Sequence, residues 1–218
     1  MNMLLPYFHS YVLCLLKPRA ALDWLRFGTV PDIAQGVELP GPELTSQLAI
    51  SWVFAIVQGL ARLLLANLMV QLFLYYQNEN DFFYALVNVE DGLFPYYVLL
   101  FTTALDLVFF PIITLVMTEF WNFVLRQYAR WLRVEGDPVE VARDITTVAL
   151  SSNFFLILPI VGVVFQQFAW LYLLYVGARH QLGASRTLAV LILFTPTVVM
   201  LMTLSLITLA GFYLITVV

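Results

Sequence analysis

Charge is what this 218-residue chain has least of, since Asp, Glu, Lys and Arg make up only 11% of it. Soluble domains carry about 25%. With 62% hydrophobic residues and a mean hydropathy of +0.90, that deficit excludes an ordinary soluble domain and implies a membrane protein. An excess of basic charge is missing as well. A net charge of −4 and a pI near 5.0 exclude nucleic acid as a partner. One cysteine, Cys14, excludes a disulfide framework within the chain and any multi-cysteine metal site. It reads as a small apolar residue of an amphipathic segment, with S-palmitoylation as the alternative. Histidine-rich metal spacing, a G-x-S-x-G elbow, a P-loop and H-E-x-x-H are all absent. The chain therefore reads as non-enzymatic, with no cofactor and no metal. It also lacks low-complexity tracts and internal repeats, and transporters usually carry inverted repeats.

What is present is a series of long apolar runs, so the expected fold is all-α: a polytopic helical bundle. The spans lie at about 48–76, 96–125, 145–160, 163–178 and 188–213; three exceed the ~20 residues that cross a hydrocarbon core and the third and fourth are shorter. Pro111 and Pro196 are expected kinks in the second and last spans, while Pro159 and Gly162 divide residues 145–178 into two short helices. A single tilted helix there is the competing reading. Residues 1–47 precede the spans. Leu5, Phe8, Val12, Leu15 and Leu16 fall at helical spacing and predict a surface-lying amphipathic helix, not a cleaved signal peptide. Pro18 closes it and opens a second one, with Leu22, Trp24, Leu25 and Phe27 in the membrane interface and Lys17, Arg19 and Arg26 at headgroups. Asp137-Pro138-Val139-Glu140 predicts a helix start. Trp24, Tyr75, Tyr76, Tyr96, Tyr97, Trp121 and Trp131 read as an aromatic belt.

Lys and Arg concentrate in the N-terminus, in the loop from Arg126 to Arg143 and in the loop from Arg179 to Arg186, whereas residues 77–95 hold acidic side chains and no basic ones. The positive-inside rule then puts the N-terminus inside and the C-terminus outside.

Arg62 stands near the middle of the first span, with Gln58 one turn earlier. At about 100° per residue, Ser51, Ala55, Gln58, Arg62 and Ala66 share one face. An arginine at mid-membrane costs at least ~2.5–3.5 kcal/mol, so it should face protein and find a carboxylate. Asp106, about a third of the way into the second span, falls within roughly a turn of the same level. Thr102 and Thr103 would support it. Glu119, Asn122 and Arg126 form a second polar stripe, in which Glu119 is expected to pair with Arg126 or with an inner-loop arginine. The Arg62–Asp106 pair admits two readings, a helix-docking ion pair or an ion, proton or lipid-headgroup site. Arg126, Arg130, Arg133, Arg179, His180 and Arg186 are candidate inner-loop contacts to lipid or partner. Ser151, Ser152 and Asn153 read as helix-packing residues.

The stretch Asn153 to Pro196 resembles the C-terminal half of the Yip domain family, the Ypt/Rab-interacting membrane proteins. The similarity is carried by Pro159 and Gly162, Trp170, Gly177-Ala178-Arg179-His180, Gly183-Ala184-Ser185 and Arg186-Thr187-Leu188-Ala189. The segment LLKPRAALDWLR also looks like the family's opening segment. The resemblance implies five spans with the N-terminus inside, in a compact form similar to bacterial members. The GTPase role of eukaryotic members, which have a longer soluble N-terminal region, is not carried over. The expected function is that of a scaffold or accessory subunit in a bacterial inner membrane. Its partners would be other integral membrane proteins, phospholipids and a second copy in a homo-oligomer. A small transporter or lipid-translocating protein using Arg62, Asp106 and Glu119 is the alternative, and membrane remodelling by the N-terminal helices is a third reading.

Overall fold

The computed structural model describes residues 4–28, 40–77 and 93–217. The acidic stretch 78–92 and most of the loop before the first span lie outside the described residues. So do the side chains of Tyr75, Tyr76 and Tyr96. Among the described residues the fold is all-helical: α1 (Leu4–Leu16), α2 (Pro18–Phe27), α3 (Leu44–Gln77), α4 (Leu93–Trp131), α5 (Pro138–Ala149), a 3-10 helix (Leu150–Ile157), α6 (Gly162–His180) and α7 (Arg186–Val217). Among the described residues three helices are long and apolar enough to cross a membrane, over Leu44–Met69, Tyr97–Trp131 and Arg186–Thr203.

Local chemistry explains the helix boundaries. Pro18 opens α2, where its missing N–H costs nothing, and Gly28 closes it at φ 66° with its N–H on the Trp24 carbonyl. Asp137 caps α5, accepting the Val139 N–H at 2.9 Å. At the end of α4 the Val134 N–H reaches the Ala129 carbonyl and the Arg133 N–H reaches that of Arg130. This is a Schellman closure, and it holds Arg133 at φ 52°, a conformation glycine adopts more cheaply.

The chain divides into two compact units. The first comprises Met1–Pro42, Thr118–Ala149 and Leu171–Val218. Here α1, α2 and α5 pack on one another, and Tyr11, Leu22, Leu125, Ile145, Leu173 and Ile192 are fully buried. Gly177 of α6 sits so close to α5 that an added Cβ would fall on the Ile145 side chain. The Tyr128 and Thr195 hydroxyls share a 2.7 Å hydrogen bond between α4 and α7. Leu5, Phe8 and Leu16 of α1 are exposed. Leu22 and Trp24, expected in the membrane interface, are instead buried in this unit, as is Trp121, so neither tryptophan belongs to an aromatic belt. Apolar periodicity marks a buried face and a lipid-facing one alike, which is why the sequence did not separate them. Cys14 is also fully buried, and burial pushes its thiol up to about 12, away from the thiolate that acylation requires.

The second unit comprises Glu43–Met117 and Leu150–Trp170. α3 packs along the 3-10 helix, with the Ser51 hydroxyl on the Leu150 carbonyl at 3.4 Å and Phe54 edge-on to Phe154 at 5.4 Å. Residues 145–160 are therefore α-helical only to Ala149 and continue as a 3-10 helix. Ser, Ser and Asn at 151–153 are residues whose side chains compete for backbone groups and disfavour a regular helix interior. The chain turns over at 158–161 and α6 begins. α4 stays helical through Pro111. That proline cannot offer an N–H to the Leu107 carbonyl one turn back. Trp52 of α3 supplies the missing donor, its indole N–H on the Leu107 carbonyl at 2.9 Å.

Candidate functional site

Four elements of the second unit enclose a cavity of about 290 Å³. α3 contributes Ala55, Gln58, Gly59 and Arg62, the small and polar face of that helix. Gly59 lets the Leu107 side chain approach to 3.1 Å of where a Cβ would stand, which draws α3 and α4 together beside the cavity. From α4 come Thr103, Asp106, Phe110 and residues further along the same face; the 3-10 helix adds Asn153 and Leu156. α6 presents Gln166, Gln167 and Trp170.

Arg62 Nη1 lies 3.8 Å from Asp106 Oδ2. The two candidates placed at one depth by the sequence are thus brought together, but not in the expected surroundings. Their side chains are 38% and 70% exposed, so the pair stands at the cavity rim, not sealed among helices. The separation exceeds hydrogen-bond length, so both groups keep donor and acceptor capacity for something else. Thr103 is buried in the cavity wall. Thr102 is exposed and turns its hydroxyl to the Leu99 carbonyl, giving the pair no support.

Deeper in the wall are Gln58 and Asn153, 6% and 2% exposed. The Asn153 side-chain oxygen accepts from Gln166 Nε2 at 3.0 Å. Asn153 Nδ2 and Gln58 Nε2 have no partner among the described residues. A buried donor left unpaired costs about 1–3 kcal/mol, so two in one cavity wall mark a place shaped for acceptor atoms. Gln58 was singled out in the sequence. Asn153 was read there as a helix-packing residue, and Gln166 and Gln167 were not singled out, although carboxamides in otherwise apolar stretches were the available signal.

The remaining candidates belong to the first unit. Glu119 is exposed and makes no ion pair with Arg126 among the described residues. Two residues seven positions apart share a helix face but stand about 10 Å apart along the axis, too far for contact. Asn122 instead accepts a hydrogen bond from Thr146, and Arg126 Nε is buried without a partner. Arg130, Arg133, Arg179 and Arg186 are exposed. His180 is the last residue of α6, its Nε2 2.7 Å from the Asp23 carboxylate of α2. Nearby, Gln181 donates to the Leu22 carbonyl at 3.3 Å and Arg26 to that of Glu135 at 2.7 Å. Asp144 is pushed up to about 6, chiefly by burial and further by the Glu140 carboxylate, against the Gln181 hydrogen bond and the Arg26 and Arg143 charges.

Among the described residues, fold and site together define an all-helical protein with three helices long and apolar enough to cross a membrane, and a largely apolar cavity whose wall in one unit carries a few polar side chains. No protein-family model, curated protein or solved structure matches the chain.

Proposed function

We propose that this is a non-enzymatic, Yip-like membrane protein of the bacterial cytoplasmic membrane that acts by binding, as a scaffold or accessory subunit whose cavity holds a polar ligand such as a lipid headgroup. Five spans, with the N-terminus inside, complete the reading: α3, α4 and α7 cross fully, and residues 145–160 and α6 supply the two shorter crossings. The observation that carries it is the pair of buried, unpartnered carboxamides, Gln58 and Asn153, in one cavity wall. Burying such donors is justified by an occupant that accepts from them. The exposed arginines of the first unit offer headgroup or partner contacts. Extraction in native nanodiscs followed by mass spectrometry tests the reading. A retained lipid, a stoichiometric membrane partner or a second copy of the chain is the expected result. A bare monomer whose Gln58 and Asn153 can be made apolar without changing anything it binds would refute it.

The half-exposed Arg62–Asp106 pair favours a second reading, translocation of that ligand. Asp106→Asn separates the two. Under the binding reading the variant stays folded and its lipid-flip rate in vesicles equals the background. Under the second, the wild type accelerates flipping and the variant does not.

A further inference from the structure

We infer that the cavity takes a zwitterion joining a phosphate to an amine, as in phosphoethanolamine, either as the head of a phospholipid or as the free compound. This rests on the reading of the cavity as a binding site. Among the described residues that line it, only Arg62 and Asp106 are ionisable, one positive and one negative charge. A ligand with net charge would leave one of these two charges without an opposite charge from the ligand. A ligand that itself carries one charge of each sign leaves none.

Three features order the ligand within the site. Arg62 and Gln58 are one turn apart on the same face of α3, so guanidinium and carboxamide donors form a column about 6 Å long. Asn153, from the 3-10 helix, adds a third donor. The oxygens of a phosphodiester spread tetrahedrally around phosphorus and can face donors arriving from two elements, whereas those of a carboxylate lie in one plane. At the rim, the Asp106 carboxylate is 70% exposed and stands 3.8 Å from Arg62, free to accept from an ammonium group. From Asp106, Phe110, Ile113 and Met117 continue the lining along α4 for about 16 Å. Ile113 and Met117 are 56% and 50% exposed, an apolar track along which acyl chains would leave the cavity. A volume of about 290 Å³ is at the lower end of small-molecule sites, suited to a headgroup with its chains outside.

The test uses the full-length protein, delipidated in mild detergent and titrated by native mass spectrometry. The ligands are phosphatidylethanolamine and phosphatidylglycerol of equal chain length, and soluble phosphoethanolamine. Expected is a phosphatidylethanolamine adduct about tenfold tighter than the phosphatidylglycerol one. Asp106→Asn should bring the two to within about twofold, because the amine loses its partner. Gln58→Met should weaken phosphatidylethanolamine about tenfold while leaving the lipid-free melting temperature unchanged or higher, since it deletes an unsatisfied buried amide. That variant keeps the test sharp if Asp106→Asn folds poorly. Competition by soluble phosphoethanolamine at equal affinity assigns the free compound as the ligand; binding that needs the acyl chains assigns the lipid. Equal affinities for the two lipids, both weakened by Gln58→Met, would overturn the zwitterion while leaving the binding site standing. Indifference of every ligand to Gln58→Met would overturn both.

Discussion

Replacing Trp52 by Phe isolates one hydrogen bond that the structure makes necessary. Pro111 leaves the Leu107 carbonyl without its intrahelical donor, and the Trp52 indole N–H fills the vacancy at 2.9 Å. Phenylalanine keeps an aromatic ring and removes only that donor. Trp52 is 43% exposed, so little burial is lost with it. Hydrogen bonds between membrane helices average about 0.6 kcal/mol and reach about 1.7. A carbonyl with no alternative donor belongs in the upper half of that range, so Trp52→Phe should cost about 1 kcal/mol. Pro111→Ala restores a backbone N–H to Leu107, and in that background the same change should cost only a few tenths of a kcal/mol, about what a surface substitution costs. The double-mutant cycle is read from unfolding in mixed micelles by far-ultraviolet circular dichroism, which does not depend on tryptophan fluorescence. Equal costs in both backgrounds would show that the indole acts by packing, and would refute the account of how α4 continues through its proline.

Three further outcomes follow from the first unit. Arg133→Gly should stabilise by roughly 0.5–1 kcal/mol, because Arg133 holds a positive φ at the α4 terminus; a loss of stability in thermal unfolding would mean its side chain contributes more than its backbone costs. Gly177→Ala should destabilise by about 1–3 kcal/mol, since the new methyl would lie within 3.0 Å of Ile145 Cγ1 in a fully buried contact, whereas Gly177→Ala with Ile145→Val should recover part of the loss. Asp144, raised from 3.8 to about 6 in the folded chain, binds its proton more tightly folded than unfolded, so its contribution favours folding below pH 4 and is lost as pH rises toward 6. Asp144→Asn should therefore raise the melting temperature more at pH 7.5 than at pH 5, and an equal rise at both would refute the shift.

The sequence announced those features in which one residue type has one use. A proline after a lysine opens α2; Asp-Pro opens α5; a lone arginine in an apolar span needs a carboxylate, and depth alone pointed to Asp106. It was silent where one residue type has two uses. Leu22 and Trp24 are equally at home in an interface or a core, and only the packing of α1, α2 and α5 decides between them. Ser151 to Asn153 could pack helices or break one; as a 3-10 segment they break one, and that break sets Asn153 in the cavity wall beside Leu156. The cavity has its origin in the same ambiguity. Gly59 is where the Leu107 side chain of α4 comes close against α3, and Ala55 lines the cavity one turn earlier; close approach is the usual reason for small residues in apolar helices. Small side chains bring backbones together and also leave volume unfilled where the opposing face cannot follow. In this unit the unfilled volume is bordered by Gln58, Arg62, Asp106 and Asn153, four side chains that a well-packed apolar interface would have excluded. A packing role accounts for the glycine and the alanine. It does not account for the four polar groups, and their convergence on one space is what makes binding the stronger reading.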